Sequence, residues 1–129
     1  MLNLHQIDSL LIARPTGILD KDLAEALVDV IEIKEELTET GFDRFCDLTG
    51  LDGVRVSCAE IWQLAVRRSA FNPNNIRVKS AFLATDPLAF GIARMYEQLL
   101  NSPRIEVRVW SDLQAAAEWL GVTPDELTR

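Results

Sequence analysis

Side chains able to do chemistry are sparse in this chain and poorly spaced for catalysis. His5 is the only histidine and stands in the N-terminal stretch, far along the chain from Cys46 and Cys58. A serine or cysteine nucleophile needs a base within hydrogen-bond reach, and this histidine is badly placed to be one. No G-x-S-x-G elbow, P-loop or G-x-G-x-x-G fingerprint occurs. Two cysteines with one distant histidine do not make a zinc set. Carboxylates remain. Asp47, Asp52 and Asp86 follow strand-like runs, and in parallel sheets ligands sit outside those carboxyl ends. Three such acids suit magnesium, yet each also has a plain structural role, at a strand end, in a turn with Gly53 and as a helix cap respectively. The expectation is that no three of Asp47, Asp52, Asp86, Glu60 and His5 converge, and that the chain uses no metal or cofactor and is not an enzyme.

Ser57 carries two compatible readings. Ser57-Cys58-Ala59-Glu60 has the form of a capping box, in which the hydroxyl accepts from an orphan amide of Ala59 or Glu60 while the glutamate reaches back. The same hydroxyl is a candidate phosphoacceptor, because a dianion there suits the helix dipole and the free amides. Trp62 and Trp119 are candidates for partial exposure, either as an interface, a homodimer contact included, or as the edge of a groove for a small apolar ligand such as a fatty acid or phospholipid.

The elements that must position these residues alternate in type. Leu2 to Ile7 reads as a weak strand and Leu10 to Ala13 as a better one, broken by Pro15 and Gly17. Asp20 caps a helix that buries Leu23, Leu27, Val30, Ile31 and Leu37, presents its acids outward and stops at Gly41. Arg44 to Leu48 is a strand, and Thr49 to Gly53 a loop. The helix opened by Ser57 runs to about Ser69 and buries Cys58, Ile61, Leu64 and Ala65. A turn at Asn72-Pro73-Asn74-Asn75 leads into a strand within Ile76 to Thr85. Asp86-Pro87 opens a helix with Leu88, Ile92, Met95, Tyr96 and Leu99 inward. Ile105, Val107 and Val109 alternate with charged residues as a half-buried strand. Ser111-Asp112-Leu113-Gln114 reads as a second capping box, with Ser111 at the cap and the helix ending at Gly121; Thr123-Pro124-Asp125-Glu126 caps a last short turn. The pattern is βαβαβα with an N-terminal hairpin. It predicts one α/β domain over residues 1–129, with a mixed, mostly parallel sheet of four or five strands and about four helices.

Bulk properties narrow the partners. The chain has 129 residues, 48% hydrophobic and 26% charged, with a formal net charge of −7. That size and composition give one ordinary core. The negative balance argues against nucleic acid and anionic membrane surfaces. Nine acids fall between Asp20 and Asp43 against Lys21 and Lys34, a run that reads as a solvated helix face or a docking face for a basic partner. The two cysteines form no C-x-x-C pair and read as buried reduced thiols, which points to the cytoplasm. The N-terminus does not read as a signal peptide, and no apolar run approaches the ~20 residues of a membrane span.

A family resemblance rests on short segments spread along most of the chain. A strand, then Asp47-Leu48-Thr49-Gly50-Leu51, then a helix opened by Ser57 resembles the centre of a STAS domain. The Gly17-Ile18-Leu19-Asp20 turn is similar to that family's, and Arg104 through Val109-Trp110-Ser111-Asp112 to Glu118-Trp119-Leu120 resembles its SpoIIAA-like branch. In anti-sigma-factor antagonists of this fold a serine at this helix start is phosphorylated, and Ser57 falls on that position. The surroundings differ: Arg55-Val56 stands where the pattern has Asp-Ser, and Cys58 where it has Gly. The resemblance implies a non-enzymatic regulatory module acting through an unidentified protein partner. It also admits a carrier or sensor for a lipid or fatty-acyl ligand.

Overall fold

Strand-forming runs near the N-terminus create the first pairing. β1 (Leu4–Ile7) and β2 (Leu10–Ala13) form an antiparallel hairpin. Asp8 turns the corner at φ 50°, a left-handed conformation that aspartate tolerates better than most residues. The computed structural model describes residues 1–129. From β2 the chain makes three helical crossovers, and each adds a parallel strand on the same side. β4 (Asp43–Asp47) pairs with β2, β6 (Val78–Leu83) with β4, and β7 (Ile105–Trp110) with β6. The sheet order is therefore β1-β2-β4-β6-β7. The fold is a single α/β domain with a five-stranded mixed sheet.

The crossover helices α1 (Lys21–Leu37), α2 (Cys58–Ala70) and α3 (Pro87–Leu99) pack together over one face of this sheet. The other face is covered by α4 (Leu113–Leu120) and α5 (Pro124–Thr128), whose Ala116, Ala117, Leu120 and Leu127 meet Leu10, Ile12, Phe45, Ala81 and Leu83. Arg14 donates to the carbonyl of Leu127 at 2.6 Å and holds α5 in place. No helix is long and apolar enough to cross a membrane.

Several local expectations change in the folded chain. The stretch read as a loop at Thr49 to Gly53 contains β5 (Leu51–Val54), paired in parallel with β3 (Gly17–Leu19) in a small second sheet. The Asp-Gly turn signal is local, whereas this pairing depends on a partner more than thirty positions away along the chain. The fourth helix is capped by Asp112 rather than Ser111. The Asp112 carboxylate accepts from the amides of Gln114 and Ala115, and its charge suits the dipole better than a hydroxyl one residue earlier. That helix ends at Gly121 with φ 76°, where glycine carries no steric penalty.

The inward faces of two helices agree with the expected ones only in part. Leu27, Ile31, Ile92 and Tyr96 line the interior, and Leu23 and Met95 pack on a core cluster, but the most buried positions differ. In α1 the buried positions are Ala24, Val28, Glu32 and Glu35, while Leu37 is 80% exposed. In α3 they are Ala89 and Ala93, while Leu88 is 56% exposed and Leu99 is exposed too. In α3 alanines form the buried line, where the helix can come near its neighbours, and the larger residues flank it. Cys58 is exposed rather than buried. Side chains tilt toward a helix's N-terminus, so one at the first position overhangs the end instead of covering the core.

Candidate functional site

Ser57 sits at the N-cap of α2 in the geometry its neighbours in sequence imply. Its hydroxyl accepts from the Glu60 amide at 3.1 Å, and the Glu60 carboxylate accepts from the Ser57 amide at 2.9 Å. The residue is solvent-exposed. One turn further along the same helix, Trp62 is 55% exposed, and Val66 follows a turn later, also exposed. Ile61, Leu64 and Ala65 point the other way, into the core. Trp119 is elsewhere. It packs half-buried on Trp110 (centroids 6.2 Å apart) on the α4 side of the sheet, under the ammonium of Lys79. The two indoles therefore lie on opposite sides of the sheet and share no surface.

Three of the acids considered for catalysis are occupied locally. Asp47 accepts from the amide and hydroxyl of Thr49 at 2.9 and 2.6 Å. Asp86 accepts from the amides of Leu88 and Ala89 as the N-cap of α3. Glu60 belongs to the capping box, while Asp52 and His5 are exposed on strands. No group of three His, Cys, Asp or Glu side chains is placed to hold a metal ion.

What local pattern did not reveal is a buried ionic cluster between α1, α2 and the sheet. Glu35, on the face of α1 expected to be solvated, is buried with its side chain 3% exposed. Its carboxylate accepts from Arg44 of β4 at 2.7 Å, from Arg68 of α2 at 2.8 and 3.0 Å, and from Arg104 at 3.2 Å. Glu32 accepts from Arg68 and, nearer the surface, from Arg67. Burial alone raises the Glu35 carboxyl, but hydrogen bonds and charge from Arg68 and Arg44 outweigh it and hold it at about 2. Burial lowers Arg44 from its ordinary value, opposed by Glu35 and reinforced by the charges of Arg68 and Arg104. A hint lay in the spacing, since Glu35 follows inward-facing Ile31 by one helical turn and Arg68 follows Leu64 likewise.

Beside this cluster is a partly open cavity of about 110 Å³ between α1, α2 and α3 and the sheet. Of its 20 lining residues 17 are hydrophobic, and the three polar ones are Arg44, Arg68 and Ser80. Cys46 also faces it, its thiol pushed up to about 12 by burial and by Asp47. A thiol held protonated in this way is a poor nucleophile. Neither Trp62 nor Trp119 lines the cavity.

The same architecture occurs in a solved structure. The chain superposes with a TM-score of 0.56 on an uncharacterised protein from the DUF3478 family of Shewanella loihica PV-4, described as having a SpoIIAA-like fold. The match covers 93% of this chain and 92% of the other, at 15% sequence identity. This chain has a SpoIIAA-like fold. No family model matches the sequence, and no curated protein matches it. The SpoIIAA-like resemblance seen in short motifs thus extends, as a fold, over 93% of the chain. At this identity it concerns architecture, so the chemistry has to come from the side chains described above.

Proposed function

We propose that this chain is a non-enzymatic regulatory module that works by protein contact through the outer face of α2, with Ser57 as a phosphorylatable edge of that face. The observation that carries the reading is the pairing on one helix of an exposed capping hydroxyl with a largely exposed indole at Trp62. An indole left in water is a natural anchor for a partner. A phosphate on Ser57 would meet the free amides and positive end of α2 and add negative charge at the rim of the contact. Native mass spectrometry of the chain purified from its own host tests this. Wild type should carry a stoichiometric protein partner that Trp62→Gln and Ser57→Asp both lose while keeping their fold. A complex retained by both variants, or no complex in wild type, would remove the reading.

A second reading, binding of a small apolar ligand, is favoured by the cavity rather than by the tryptophans. Its wall is overwhelmingly hydrocarbon, and dry cavities of this order take up small apolar molecules. The volume excludes the whole of a long acyl chain or a phospholipid.

A further inference from the structure

The cavity and the ionic cluster share two side chains, Arg44 and Arg68. The cluster is unbalanced. Three buried guanidiniums, those of Arg44, Arg68 and Arg104, face the two carboxylates of Glu35 and Glu32. Glu32 is moreover shared with Arg67, which lies outside the buried set. One positive charge is left without a counterpart in an interior where isolated charge is costly. Arg44 also keeps its Nε–H buried without a hydrogen-bond partner. A buried donor left unmade is a penalty that a fitting acceptor would remove.

An excess cation and an unused charged donor on the wall of a hydrocarbon cavity define a ligand by complementarity: one anionic head and a short apolar tail. We propose that the cavity between the sheet and the three crossover helices binds a short-chain monocarboxylate. Its head meets Arg44 and Arg68, and its tail lies among Leu27, Ile61 and Ile92. The assignment rests on the apolar-ligand reading and narrows it. Glu35 and the Phe42 carbonyl occupy the terminal nitrogens of Arg44, and Glu35 and Glu32 those of Arg68. The ligand therefore bonds the free Arg44 Nε–H beside the Arg68 charge, and a charge-assisted bond to guanidinium makes this contact strong. Tyr96 also lines the wall and interacts with Arg68; burial raises its pKa, so it stands there as a neutral hydroxyl able to donate. Size fixes the tail. A cavity of about 150 Å³ holds the six carbons of benzene, so 110 Å³ accommodates a tail of about two to four carbons and rejects longer ones.

Calorimetric titration of the full chain with butyrate, 1-butanol and octanoate, at constant ionic strength, tests this. Butyrate should bind saturably and roughly tenfold more tightly than either of the others, the butanol gap reflecting the charged head. Leu27→Phe, which fills the cavity from α1, should abolish binding and leave the melting temperature nearly unchanged. Arg44→Gln should erase the preference for butyrate over butanol if it folds; the Leu27 variant keeps the test decisive if it does not. Equal affinity for butanol would overturn the carboxylate assignment and leave the apolar-ligand reading standing. Absence of saturable binding by any probe would overturn both. Butyrate binding that survives Leu27→Phe would place the ligand outside the cavity and overturn the assignment as well.

Discussion

The two sides of the sheet are built on different principles. On the α4 and α5 side, Phe45, Ile12, Leu83, Ala116, Ala117 and Leu127 form a continuous hydrocarbon core with almost no exposed surface. On the α1 to α3 side, three smaller clusters surround a cavity and a buried set of arginines and glutamates. The first arrangement is what stability alone selects, because close-packed apolar contact has no desolvation penalty. The second is less economical. Buried ion pairs commonly contribute no more than hydrocarbon of the same volume, and a void forfeits dispersion contacts. Both features lie on one side of the sheet, and the other side holds the fold by hydrocarbon packing alone.

Substitutions should expose this contrast, beginning with the ion cluster. Glu35→Gln leaves three guanidiniums facing a neutral amide and should cost about 3–5 kcal/mol, the penalty of uncompensated buried charge. Urea unfolding monitored by far-UV circular dichroism would measure it. A loss below about 1 kcal/mol would mean that water reaches the cluster. Phe45→Ala, on the hydrocarbon side, should cost about 3–4 kcal/mol through lost transfer energy and a new cavity.

The two sides should then separate in their response to pH. The Glu35 carboxyl is held at about 2, below its ordinary 4.5. A depressed acid contributes stability that is complete above its unfolded value and is lost as pH falls toward its folded one. Wild type should therefore weaken progressively from about pH 4.5 to about pH 2. Phe45→Ala should run parallel to wild type through that window, whereas Glu35→Gln should be flatter. Parallel curves for all three proteins would refute the assigned electrostatics.

The smallest expected effect is at the start of α2. Ser57→Ala removes one arm of the capping box and should cost about 1 kcal/mol. Ser57→Asp should cost much less, since aspartate also caps and its charge suits the dipole. Thermal melts of the two variants would decide whether the hydroxyl acts through the cap. Equal melting temperatures would show that it does not.

Features that depend on near neighbours were legible in the residues alone. Alternation of apolar residues placed β7 and a short apolar run placed β2, and Asp20, Ser57 and Asp86 cap their helices as their side chains dictate, each bonding an amide two or three residues on. The order of these elements, with Asp47-Leu48-Thr49-Gly50-Leu51 leading to the helix at Ser57, already carried the likeness in fold. Which positions of a helix are most buried emerged only on packing. Leu88 looks like a core residue in a helical pattern, yet the alanines of α3 take the buried line and leave it outward, and Leu37 at the end of α1 is exposed too. Packing also set the pairing of β3 with β5 and the capture of Glu35 by three arginines, one of them 69 positions away. Periodicity identifies polar residues by type and places them in water. Whether a charge is buried depends on the charges that meet it, and those come together only when distant segments pack.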